Sequence, residues 1–180
     1  MIISIIVYVL SIIFLLFIII SSASILFSVL SFAPWLPSRS RDLARIFNLA
    51  DLKAGQIFYD LGCGDGRIIM FAANNYKALA IGLEISLPLY LICRLRKVFS
   101  HRSNLEFKFK NLFKEDLSSA DVVYFFGIPQ TINRKLVAKL KQELKPGAKV
   151  ISYSFKLDDW TPKLIDKPSK NDLSIYLYEI

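Results

Sequence analysis

Apolar residues along this chain follow two patterns that meet near position 38. From Ile2 to Phe32 the sequence is an almost unbroken run of Ile, Leu, Val, Phe, Ser and Ala. A helix needs about 20 apolar residues to cross a bilayer, so the run predicts one spanning helix. Its excess length predicts a tilt, or a break near Ser21 and Ser22, whose hydroxyls compete for backbone hydrogen bonds. Pro34-Trp35-Leu36-Pro37 then reads as an extended connector with its Trp at the membrane interface. Beyond it, short apolar runs predict strands at Ile57–Leu61, Ala78–Ile85, Leu105–Lys110, Asp121–Gly127, Lys149–Phe155 and Leu173–Ile180.

Helical patterns fill the intervals. One helix is expected to begin near Ser40, and another follows from Ile68 to Asn75. Between Pro88 and Arg102, Leu91, Ile92, Leu95, Val98 and Phe99 recur at helical spacing, with Arg94, Lys97 and His101 on the opposite, solvent-side face. Between Thr131 and Lys145, Ile132, Leu136, Val137, Leu140 and Leu144 repeat the pattern, and Lys145-Pro146-Gly147 stops it. Alternating strands and helices predict an α/β fold with a mostly parallel six- to seven-stranded sheet covered on both faces. The chain divides into an anchor over 1–33, a connector and leading helix over 34–55, and a ligand-binding domain over 56–180.

Charge sharpens the division, because Met1 to Ser38 contain no Lys, Arg, Asp or Glu and the net +8 lies entirely beyond them. A basic domain beside an apolar anchor is drawn to anionic lipid at roughly 1 kcal/mol per well-placed Lys or Arg; nucleic acid is the competing partner. A cleaved signal peptide would want a positive leading region and a core of about 7–15 residues, and neither matches. Arg39, Arg41, Arg45 and Lys53 follow the run, so the positive-inside rule places the domain on the cytoplasmic side. Cys63 and Cys93 are far apart in sequence, suggesting neither a disulfide framework nor a zinc site, and His101 is the only histidine, which argues against a metal centre.

The candidate chemistry lies in Tyr59-Asp60-Leu61-Gly62-Cys63-Gly64-Asp65-Gly66-Arg67, directly after a predicted strand and before a helix. Glycines there let the backbone turn tightly against a ligand. A dinucleotide fingerprint would want a third glycine or alanine where Arg67 stands. Asp60 would repel a pyrophosphate but suits an ammonium group. S-adenosylmethionine, which has an ammonium, a sulfonium and no phosphate, fits better than a nicotinamide or flavin dinucleotide. Glu84 closes the second strand about 20 residues on, where an acidic residue accepts from ribose hydroxyls in this class of fold. Asn111 and Leu112, after the third strand, stand where such domains flank an adenine. The expected cofactor residues are therefore Asp60, Gly62, Cys63, Gly64, Gly66, Glu84, Asn111 and Leu112. After the fourth strand, Tyr124-Phe125-Phe126-Gly127-Ile128-Pro129-Gln130 should lie beside the transferred methyl group, while Phe125 and Phe126 fit a buried strand equally well.

These residues resemble the class I methyltransferases. Within that class they are similar to the membrane-anchored protein lysine methyltransferases of mitochondria, which modify the c-ring protein of ATP synthase and the adenine nucleotide translocase, and to their prokaryotic relatives. The resemblance rests on Pro34-Trp35-Leu36-Pro37, Asp60 to Ile68, Glu84, Arg94-Leu95-Arg96, Phe126 to Gln130 and Asp159-Trp160-Thr161-Pro162. Asn111 departs from it, since those relatives carry Asp there. The resemblance implies a Rossmann-like fold, a membrane attachment and a lysine acceptor on a membrane-embedded protein. A slot at Tyr124, Gly127 and Pro129 would hold that lysine neutral, with no general base assigned. The alternatives are a lipid, quinone or RNA acceptor met by the basic face of Arg94, Lys97 and His101, or a tethered module that binds the cofactor without turnover.

Overall fold

A computed structural model describes residues 2–31, 36–127, 135–158 and 160–180. Helix α1 (Ile2–Ser31) runs without interruption through Ser21 and Ser22, so the break expected there is not made. The hydroxyl of Ser11 donates to the carbonyl of Val7, one turn back, and leaves the helix intact. Within α1, Ile2–Ala23 is long and apolar enough to cross a membrane and buries nothing against the rest of the protein. Pro34 and Trp35 lie outside the described residues.

A single 3-10 turn at Ser40–Asp42 leads into α2 (Leu43–Ala50), ended by Asp51 in the left-handed conformation. There follow β1 (Ile57–Leu61), α3 (Arg67–Phe71, continued by a wider turn to Tyr76), β2 (Leu79–Glu84) and α4 (Leu87–Ser100). The rest comprises β3 (Leu105–Phe109), β4 (Val122–Phe125), α5 (Val137–Glu143), β5 (Lys149–Tyr153), β6 (Leu164–Asp166) and β7 (Ile175–Glu179). The sheet has the order β3-β2-β1-β4-β5-β7-β6. Its first five strands are parallel, and β7 runs antiparallel between β5 and β6. The order of connection across the sheet reverses between β1 and β4, the switch point beyond which open α/β sheets bind their ligands.

Central strands β1, β4 and β5 are buried on both faces, which is why they read as continuous apolar runs. One core, built on Phe47, Phe58, Ile69 and Tyr153, lies under α2 and α3; the other, built on Leu61, Phe125, Leu140 and Tyr178, lies under α5. Strand β6 escaped the sequence reading because it is short and edge-lying, with Leu164 and Ile165 both exposed. Of the helix expected between Thr131 and Lys145, residues 131–134 lie outside the described part, and the described helix stops at Glu143.

Helix α4 corrects the amphipathic reading. Its expected inner face points outward: Leu91, Ile92, Leu95, Val98 and Phe99 are all exposed, Phe99 by 79%. Contact with the sheet is made instead by the opposite side, on which Cys93 is completely buried. The period identified the helix correctly; the direction in which it faces was set by the glycine turn it has to meet.

Candidate functional site

The turn after β1 is shaped by contacts from β2 and α4. Gly62 and Cys63 both donate their amides to the carbonyl of Leu83. Gly64, at a φ of 56°, donates its amide to Oε2 of Glu84 at 2.8 Å. The other oxygen of Glu84 accepts from the amides of Ile85 at 2.9 Å and Ser86 at 2.7 Å. Burial pushes the Glu84 carboxyl up, and these three amides only partly offset it. Glu84 is thus a clasp joining the end of β2 to the turn, with lone pairs left over for a ligand.

Gly66 caps α3 at a φ of 78°, and a Cβ there would stand 2.8 Å from the Phe107 ring. Gly66, expected to contribute to the cofactor site, is not among the residues lining the cleft described below, and its lack of a side chain makes room for Phe107. Cys63 and Cys93, distant in sequence, are brought side by side as free, buried thiols. Cys93 Sγ also donates to the carbonyl of Gly64.

Beyond the carboxyl ends of β1, β2 and β4 opens a cleft of about 810 Å³, solvent at its mouth included. Asp60, Gly62, Cys63, Gly64, Glu84, Asn111, Leu112 and Tyr124 line it, together with Phe126. Phe125, its neighbour, is wholly buried in the opposite core, which separates the two readings left open for this pair. Gly127 is buried away from the lining, Pro129 lies outside the described residues, and Trp160 packs on Tyr178 remote from the cleft.

One lining residue, Ser38, carried no sequence signal. Ser38 reaches Tyr124, the two hydroxyls lying 2.7 Å apart, and Arg67 donates to the carbonyl of Ser38. Arg67 is itself fixed by Asp65, as is Arg96 from α4. Burial raises the Asp65 carboxyl, but the hydrogen bonds and charge of Arg67, with help from Arg96, outweigh it and hold the carboxyl below its usual range. Asn111 accepts the Phe113 amide at 2.9 Å, capping the short turn that presents Leu112, while its NH₂ group stays available to an adenine. Lys108 and Lys110 both grip Glu115 just beyond, steadying that turn.

Asp60 is the most unusual group. It is 2% exposed, and among the described residues no hydrogen bond reaches its carboxylate. Burial, reinforced by Glu84 and Asp65, raises its pKa well above the ordinary carboxylate range. A buried, unpaired carboxylate beside a second acid calls for a cation and rejects a polyphosphate.

Comparison with known proteins agrees. A protein-family model described as the ANTKMT methyltransferase domain matches residues 60–164. The chain belongs to that family. The methyltransferase is 33% identical over 156 residues to a protein-lysine N-methyltransferase of Saccharolobus islandicus, a match covering 82% of this chain and 93% of the relative. It is 31% identical over 137 residues to the adenine nucleotide translocase lysine N-methyltransferase of Mus musculus, covering 72% of this chain but only 56% of the mouse protein. A solved structure described as an RNA methyltransferase from Salinibacter ruber in complex with S-adenosyl-L-homocysteine superposes with a TM-score of 0.75 at 33% identity, covering 81% of this chain and 94% of that one. The cofactor of the methyltransferase is S-adenosylmethionine. The cleft fits it in chemistry: Asp60 offers a carboxylate that would meet its positive charge, Glu84 has spare acceptor capacity that ribose hydroxyls would use, and Asn111 with Leu112 would flank an adenine.

Proposed function

We propose that this methyltransferase is held in a bilayer by α1, with its α/β fold on the cytoplasmic side, and methylates the ε-amine of a lysine in a membrane protein. The reading is carried by the two ends of the cleft: a buried carboxylate, Asp60, without a hydrogen bond among the described residues and suited to the cationic cofactor, and an aromatic corner at Tyr124 and Phe126. Bound S-adenosylmethionine would supply an electrophilic methyl group, whose bond to sulfur breaks as the bond to a neutral amine nitrogen forms, with the neutral thioether as leaving group.

A free lysine has a pKa of about 10.4, so the site has to favour the uncharged amine. Burial, and then the nearby Asp60 charge, hold the Tyr124 phenol far above its ordinary value, so Tyr124 stays protonated and is no general base. Its hydroxyl, oriented by Ser38, is a hydrogen-bond partner for the amine. Phe126, wedged edge-on against Tyr153 at 5.0 Å, limits solvation of the slot and so lowers the lysine pKa. The chain's contribution is thus alignment and desolvation.

The test incubates the full chain in vesicles with methyl-labelled cofactor and membrane proteins, and maps the label by mass spectrometry. Label on lysines of membrane proteins is expected; cofactor binding without label on any lysine would overturn the reading. A second reading, an RNA acceptor, is favoured by the description of the Salinibacter relative and by the net charge of +8. It predicts label on RNA and an RNA affinity that falls steeply with salt.

A further inference from the structure

Among the described residues nothing covers the outward stripe on α4. Leu91, Ile92, Leu95, Val98 and Phe99 form one continuous face, directly opposite buried Cys93, and Leu95, Val98 and Phe99 are exposed by 60%, 62% and 79%. An unbroken apolar face of this kind on a surface helix marks something that covers it. Two observations say what. Helix α1 comes close to α4, so the membrane-crossing candidate and the stripe belong to neighbouring helices. Exposed Arg94 and His101 flank the stripe on one border, and Arg96 stands on the other, anchored by its bond to the Asp65 carbonyl. Basic residues bordering an apolar face that carries Leu and Phe are the signature of a helix lying in a lipid interface.

We infer that α4 is an interfacial helix whose outward face enters the headgroup and upper acyl region of an anionic bilayer, making a second membrane contact beside α1. The inference rests on the proposed anchoring by α1. It bears directly on substrate: α4 begins at the cleft, where Leu89 contributes to the lining, so seating its outer face in lipid brings the cleft mouth to the membrane surface. The acceptor lysine would then lie at headgroup depth, at the end of a transmembrane segment or in a short loop, out of reach of a lysine far from the membrane.

The test is site-directed spin labelling of the full chain in phosphatidylcholine–phosphatidylglycerol vesicles, with Leu95→Cys, Phe99→Cys and, beyond the opposite sheet edge, Lys170→Cys. The unsubstituted chain reports any background from Cys63 and Cys93, both buried. Labels at 95 and 99 are expected to collide with oxygen more than with a water-soluble nickel complex, and the label at 170 the reverse. If alkaline carbonate leaves the chain in the vesicles while 95 and 99 are as nickel-accessible as 170, the interfacial helix is refuted and the anchor stands. Release of the chain by carbonate would refute both. Labels at 95 and 99 that are immobile and closed to both reagents would mean a covering protein instead, which also refutes lipid as the occupant. As a functional readout, joint Leu95→Ser and Phe99→Ser substitution is expected to slow methylation of a vesicle-embedded acceptor by about tenfold or more. Methylation of a soluble lysine peptide should be unchanged; equal losses on both acceptors would overturn the inference.

Discussion

Helices α2 and α4 carry comparable apolar faces and use them in opposite ways. Helix α2 buries Leu43, Ile46, Phe47 and Ala50, with Phe47 packed on Phe58, Phe71 and Tyr76 at centroid distances of 5.2, 5.5 and 5.1 Å. Helix α4 turns its larger set outward and gives the protein interior mainly Cys93 and the polar grip of Arg96. Hydrophobic periodicity reports that a helix has two faces. Which face meets the protein depends on what the interior side has to hold, and at α4 that is the glycine turn.

The widest separation between the two helices should appear in stability. In detergent, Phe47→Ala is expected to lower the unfolding free energy by about 3–5 kcal/mol, whereas Phe99→Ala should stay within about 0.5 kcal/mol, as read by denaturant titration. A large loss from Phe99→Ala would mean that α4 faces a protein core after all.

A second, smaller effect separates the turn held by α4 from the core held by α2. Asp60→Asn is expected to weaken cofactor binding by at least about tenfold, by removing a buried charge from its cationic partner. The same change should raise the thermal midpoint of the ligand-free protein. The sign follows from the raised pKa: the unfolded state ionises first, so Asp60 costs stability progressively as pH rises from its ordinary pKa towards its folded value, and Asn removes that cost. Because a cationic ligand favours the ionised form, cofactor affinity of the unsubstituted protein should increase with pH over that window and binding should release protons. Calorimetry in buffers of differing ionisation enthalpy reads this directly, and proton uptake on binding would contradict it.

The smallest effect is expected at Arg96, which supports the turn from outside the cleft by donating to the Asp65 carbonyl at 2.7 Å. Arg96→Ala should reduce cofactor affinity a few-fold while leaving the core served by α2 unchanged; Arg96→Lys should recover part of it.

Much of this was legible in the chain because the signals were local. The Asp60–Gly66 turn, its preceding strand and the acid closing β2 all follow from neighbours a few residues apart. The long apolar run likewise gave one long helix. What stayed hidden depends on contacts between distant segments. Ser38 joins the cleft only because Tyr124 and Arg67 reach it from β4 and the glycine turn. The two cysteines meet only once α4 packs on the glycine turn after β1, and the exposure of Phe99 has no counterpart in its spacing from Leu95. At Gly66 the Phe107 ring occupies the space a Cβ would need, a constraint from a distant segment that the glycine's neighbours in sequence do not show.

The clasp made by Glu84 has a consequence for how specificity is inherited in such a site. One carboxylate pins the loop, through Gly64, to the strand it closes, through Ile85 and Ser86. Truncating it would let the loop spring open before any nucleoside arrived, so loop shape and ligand preference must rise or fall together. A chain that drifted away from this acid would lose the tie between turn and strand and the mould that the tie shapes in a single step.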